Sequence, residues 1–118
     1  MKPINESYLC GTATEPLLYE TIGGCLDRVA AEYPDADALI VRHQGVRWNY
    51  AEYKEKVEAL AAGLLSLGIE PGDRVGIWAP NRYEWCLTQF ATAKIGAIMV
   101  CVNPAYRLHE LNLSLIHI

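Results

Sequence analysis

The chain is short of the features that usually announce a function. Lys and Arg total 10 against 14 Asp and Glu, a net charge of −4 with a pI near 5.3. A main partner that is a nucleic-acid backbone needs the opposite balance, so none is expected. The 4 cysteines, Cys10, Cys25, Cys86 and Cys101, form no C-x-x-C pair and share no zinc-type spacing with histidine. A disulfide framework is not expected in so aliphatic a chain, and the cysteines read as packing residues in a reducing compartment. The longest apolar run, Ile95 to Val102, is too short to span a bilayer and suits a buried strand. MKPINESYLCGTATEP has no apolar signal-peptide core, and a cytoplasmic setting is the expectation. Neither G-x-G-x-x-G nor G-x-x-x-x-G-K-[ST] occurs, and there is no internal repeat.

What is present is apolar substance: 52% of 118 residues, enough for one modest core. Residues 1–20 read as an irregular segment. Ile22, Cys25, Leu26, Val29, Ala30 and Tyr33 fall on one helical face, with Thr21 to cap it and Pro34 to end it. Gly23 and Gly24 weaken its first turn by up to ~1 kcal/mol each relative to alanine. Residues 38–43 and 46–50 read as strands, with Gln44-Gly45 as a two-residue hairpin turn.

Asn49 to Glu52 has capping-box form. Tyr50, Tyr53, Val57, Leu60, Leu64 and Leu67 then predict the clearest amphipathic helix. Gly68 is its natural C′ residue, and the Lys/Glu run at 52–58 is its solvated face with i,i+4 pairs. Asp73 to Trp78 reads as a strand. Asn81 to Glu84 looks like a second capping box, opening a helix that stops at Gly96. Ala97 to Val102 is apolar on both faces, as a strand of a parallel sheet requires. Strand, helix and strand with short links predict a right-handed βαβ unit, hence an α/β fold. Asn103-Pro104 ends it, and Arg107 to Asn112 opens a further helix.

No catalytic constellation emerges from the residues themselves. Gly72 and Gly76 read as a turn and a tight strand contact rather than a phosphate loop. His43 and His109 could serve as bases by residue type, but no nucleophile or orienting carboxylate stands beside either. Asp35 and Asp37 read as solvated, Glu84 as a cap, Arg82 and Arg107 as surface cations. Trp48, Trp78 and Trp85 could line an apolar pocket, or fill the core and its rim.

The order of the segments is more informative than any one of them. Tyr50-x-Glu52 is followed by Leu67-Gly68-Ile69-x-Pro71-Gly72-Asp73-Arg74-Val75. Then come Pro80-Asn81-x-x-Glu84, Gly96-Ala97, Asn103-Pro104 and Glu110-Leu111. Over residues 17–112 this resembles the N-terminal part of the AMP-forming acyl-CoA synthetases of the adenylate-forming superfamily. VNPAYRLHEL is similar to the branch containing acyl-CoA synthetase family member 2 and related bacterial fatty-acid ligases.

The resemblance implies an α/β fragment: the N-terminal portion of the large adenylate-forming domain, incomplete, with residues 21–112 as its partial domain. It implies a parent that uses ATP, Mg²⁺ and coenzyme A to join a small-molecule carboxylate, a fatty acid, to the thiol. Another adenylate-former, such as an aryl-CoA ligase or a peptide-synthetase adenylation domain, is one alternative. A non-catalytic binding or dimerisation module of the same fold is the other. In the family, the phosphate loop, acyl pocket and catalytic lysine lie downstream, so no catalytic, cofactor-binding or metal residue is carried over. Residues 113–118, LSLIHI, are similar to the conceptual translation of a transposon mosaic-end sequencing adapter, and are expected to be a tail of that origin.

Overall fold

A computed structural model describes Gly11 and residues 14–116. Its elements are α1 (Ile22–Glu32), β1 (Asp37–Val41), a 3-10 turn (Arg42–Gln44) and β2 (Val46–Asn49). They continue with α2 (Tyr50–Ser66), β3 (Arg74–Trp78), α3 (Tyr83–Ile95), β4 (Ile98–Val102) and α4 (Leu108–Leu115). β1 and β2 pair antiparallel, while β3 and β4 pair parallel across α3. The α/β fold with a hairpin and a β-α-β unit is therefore present. Residues 14–20 hold neither helix nor strand, and most of the N-terminal segment, with Cys10, lies outside the described residues.

The core sits where α1, α2 and α3 meet. Leu26, Tyr53, Val57, Ala61 and Ala91 form its buried centre, and Leu39, Trp48, Phe90 and Ile95 pack around them. Tyr53 meets Phe90 edge-on at 5.7 Å between ring centroids, and its hydroxyl donates to the Cys86 carbonyl at 2.8 Å. This ties α2 to α3 through both an apolar ring and one polar bond.

Local sequence sets most helix ends. The Thr21 hydroxyl accepts from the Gly24 N–H at 3.0 Å, and Asn49 with Glu52 forms the full reciprocal capping box. At the other end of α2, the Gly68 N–H reaches the Leu65 carbonyl and the Ile69 N–H the Leu64 carbonyl. This is a Schellman ending, with Gly68 at φ 86°.

Five expectations need correction. The hairpin turn is not two residues long. β1 stops at Val41, and Arg42 to Gly45 form the loop, with Gly45 alone at positive φ. A two-residue turn of the favoured kind needs positive φ at its first residue as well, which Gln44 resists. Leu67 lies just past the end of α2 and is 80% exposed, and within the helix the line Tyr53, Val57, Ala61 is what becomes buried. The sequence stripe repeats every 3.5 residues, and an ideal helix drifts away from such a stripe by ~20° per heptad.

β4 is not buried on both faces. Val100 and Val102 are buried, but Cys101, on the opposite face, is exposed, because a two-stranded sheet beside one layer of helices has only one covered side. Nor is Gly76 a tight contact: among the described residues, nothing lies within 4 Å of where its Cβ would stand. Asn81 does not cap α3. The N-cap is Arg82, which makes no side-chain capping bond.

Candidate functional site

In an open parallel sheet, ligands collect beyond the carboxyl ends of the strands. Here β3 ends in Ala79-Pro80-Asn81 and β4 in Asn103-Pro104, and a cavity of about 440 Å³ opens between them. Trp85 and Cys101 also line it. Two indole N–H groups fix its walls. Trp85 donates to the Ala79 carbonyl at 3.2 Å, and Trp78 donates to the Asn103 carbonyl at 3.1 Å. The Asn103 side chain folds back to accept from the Ala105 N–H at 3.0 Å, which turns the chain away from the sheet.

The cavity is shaped but chemically quiet. No lysine, arginine, histidine or carboxylate lines it, so nothing in it would hold a triphosphate or its Mg²⁺. Among the described residues no group of three or more His, Cys, Asp or Glu could hold a metal ion.

The singled-out residues do not converge. His43 sits in the hairpin loop and His109 in the first turn of α4, both exposed. Asp35 is exposed, while Asp37 forms a forked ion pair with Arg47, at 2.5 and 3.0 Å. Arg107 caps α4, with the Glu110 carboxylate accepting from its N–H. Gly72 is a turn residue at φ 93°, its N–H bonded to the Gly96 carbonyl at 2.8 Å. Of the tryptophans, Trp78 is 55% exposed; Trp48 meets Tyr83 edge-on and carries the Lys56 ammonium over its ring.

Gln44 is the functional connector that the sequence reading missed. Its side-chain oxygen accepts from the Tyr83 N–H at 2.8 Å, and its amide donates to Glu84 at 3.0 Å. A residue of the hairpin thus supplies the cap that α3 lacks locally. Arg82 grips the same Glu84 carboxylate through two nitrogens. The Arg82 guanidinium, then the Gln44 amide, hold the Glu84 carboxyl down to about 2. The one signal in the sequence was negative: the N-cap position holds Arg82, which cannot accept a hydrogen bond.

The Lys/Glu run is likewise more than a solvated face. Lys54 and Glu58 do pair at i,i+4, but Lys94 of α3 reaches both Asp27 of α1 and Glu58 of α2, at 2.5 and 3.2 Å. One ammonium, only 13% exposed, joins three helices. Hydrogen bonds from Lys94 to Asp27 and from Lys54 to Glu58 lower both carboxyl pKa values. Carboxyls lowered in the folded state stabilise it above their ordinary range, and that contribution is lost as pH falls through the folded values. The urea midpoint should therefore fall steadily as pH drops from 5 toward 2. Exposed pairs are each worth below about 1 kcal/mol, so the slope should be shallow. Lys94→Met should flatten it, and an unchanged slope in that variant would remove the cluster as its cause.

With this geometry in place, the chain can be set beside known proteins. Residues 26–117 match the family described as AMP-binding enzyme. The mouse (Mus musculus) protein "Medium-chain acyl-CoA ligase ACSF2, mitochondrial" is 49% identical over 105 residues, which are 89% of this chain and 17% of that protein. The N-terminal domain of FACL13 from Mycobacterium tuberculosis superposes with a TM-score of 0.77 at 32% identity, covering 81% of this chain and 24% of that one. The Klebsiella oxytoca NpsA N-terminal subdomain gives 0.76 at 30% identity, with 81% and 25% covered. The chain thus spans less than a fifth of the length of the mouse relative.

Proposed function

We infer the function from one premise: this chain belongs to the AMP-binding enzyme family. It is proposed to be the N-terminal piece of an ATP-dependent acyl-CoA ligase of the fatty-acid type. The observation that carries this is the 49% identity, over 89% of the chain, to a protein named as a medium-chain acyl-CoA ligase. Identity to the NpsA subdomain is lower, at 30%, which favours a fatty-acyl parent over the adenylation domains of peptide synthetases.

The parent reaction needs a carboxylate to attack the α-phosphate of ATP, releasing pyrophosphate, and then a thiol to displace AMP. Bound Mg²⁺ would supply charge neutralisation at the phosphates. The residues of this chain do not fit that task alone, since the crevice beyond β3 and β4 carries no charge. Its proposed contribution is a scaffold: residues 21–112 present a wall of Trp85 and the Pro80-Asn81 and Asn103-Pro104 bends, against which later segments would assemble. A cytoplasmic setting, and an adapter origin for residues 113–118, belong to the same proposal. Of that tail, Leu113 to Leu115 continue α4, and His117 and Ile118 lie outside the described residues.

The test is a long read of the source DNA across the codons for Glu110 to Ile118, followed by expression of whatever frame it reveals. The expected frame continues into a Ser/Thr/Gly-rich loop. Its product should release pyrophosphate from ATP when given octanoate and Mg²⁺, and the 118-residue chain should not. A genomic stop directly after these codons, or octanoate-dependent turnover by the short chain, would reverse the assignment.

A further inference from the structure

A second cavity, of about 380 Å³, lies between the hairpin and the start of α3. Its lining divides cleanly by chemistry. Ile40, Val41, Trp85 and Cys86 give an apolar floor, while Arg42, His43, Asn81 and Arg82 stand around it. Nearby charges are already spoken for: Asp37 by Arg47, and Glu84 by Arg82 and Gln44. The side chains of Arg42, His43 and Asn81 make no hydrogen bond or ion pair with any described residue. So in a chain of net charge −4, this pocket keeps an uncompensated guanidinium beside an apolar floor.

Its walls are also pre-formed. Gln44 pins the loop carrying Arg42 and His43 to the first turn of α3, which carries Asn81 and Arg82 at its entrance. A ligand would therefore pay little ordering cost. Size, an apolar lining and a few converging polar donors are the attributes of small-molecule sites.

We propose that this pocket binds a small amphipathic anion, an oxyacid head group held by Arg42, with His43 and Asn81 beside it, and a short apolar body laid on Ile40 and Trp85. A planar guanidinium matches either a carboxylate or a phosphate monoester through two parallel hydrogen bonds. The site adjoins the crevice beyond β3 and β4, with Asn81 and Trp85 between the two, but Arg42 and His43 belong to this pocket and not to the crevice, and it does not depend on the ligase reading. Binding is read on the chain itself, without turnover.

The experiment is a titration of the isotope-labelled 118-residue chain with octanoate, and separately with octyl phosphate, followed by amide and indole resonances. Both probes are kept below micelle-forming concentration. Saturable shifts centred on residues 40–43 and 81–86 are expected. Arg42→Ala should weaken the tighter probe about tenfold or more, as loss of a charge-assisted hydrogen bond does. Arg74→Ala, an exposed cation at the far end of β3, should leave affinity unchanged. Preference for octanoate would identify a carboxylate site, and preference for octyl phosphate a phosphomonoester site. Shifts centred on Val102 to Pro104, equal losses in both arginine variants, or no saturation with either probe would overturn the proposal. Because Arg42 is exposed on a turn, its variant should fold, and His43→Gln provides a second, smaller loss on the same loop.

Discussion

Tyr53→Ala is expected to remove about 3–5 kcal/mol of folding free energy, the usual cost of truncating a buried aromatic side chain. A domain of this size holds only about 5–15 kcal/mol in all, so the variant should lose a large fraction of its stability and unfold at a much lower urea concentration. Three losses combine at this position. The ring is 5% exposed and fills the junction of α2 with α3. It gives up its edge-on contact with Phe90. It also gives up the hydroxyl bond to Cys86. Tyr53→Phe separates these, because it keeps the ring and drops only the hydrogen bond. It should cost about 0.5–1.5 kcal/mol. Burial pushes the Tyr53 phenol upward, so the hydroxyl remains a donor over the whole working range and the comparison is independent of pH. Urea unfolding followed by far-ultraviolet circular dichroism measures both. If the alanine variant lost no more than the phenylalanine variant, the ring would not be what holds α2 to α3.

The features that could be read from the sequence are those whose causes lie within one turn of chain. Thr21, the Asn49/Glu52 box and Gly68 act through neighbours three or four residues away, and each stands where the sequence places it. The hairpin and the β-α-β unit were legible from alternation and punctuation. What escaped depends on distant partners. Asn81 and Arg82 present two possible starts for α3, and the choice between them rests on Gln44, thirty-nine positions back. Lys54 and Glu58 look like an ordinary surface pair until Lys94 arrives from α3. β4 has the composition of a strand covered on both sides, yet Cys101 is exposed, because no second layer of described residues covers that face. The candidate site was illegible for a different reason. Its family resemblance lies in turns and caps, which are scaffold, and scaffold residues carry no chemical signature of the reaction they support.

The other large effect belongs to a glycine that composition alone would call a weakness. In a free helix, Gly23→Ala should stabilise by up to ~1 kcal/mol. Here Gly23 is buried where α1 crosses α3. A Cβ at this position would stand 2.9 Å from Cγ of Lys94 and 3.2 Å from its Cα. The first contact could be relieved by moving a flexible side chain, but that side chain is the one whose ammonium holds Asp27 and Glu58. The second is backbone, and yields only if the two helices separate. Overpacking of this kind costs about 1–3 kcal/mol, which outweighs the propensity gain, so Gly23→Ala should be destabilising by up to about 2 kcal/mol. Gly24 is the internal comparison. Its added Cβ would meet only the Thr21 hydroxyl, at 3.1 Å, so Gly24→Ala should be near neutral. Lys94→Ala removes the Cγ and leaves the Cα. The double variant with Gly23→Ala should therefore recover part of the loss, as a positive coupling in a double-mutant cycle. Stabilisation by Gly23→Ala alone would mean that α1 and α3 do not approach each other at this crossing, and the three-helix core would have to be redrawn around it.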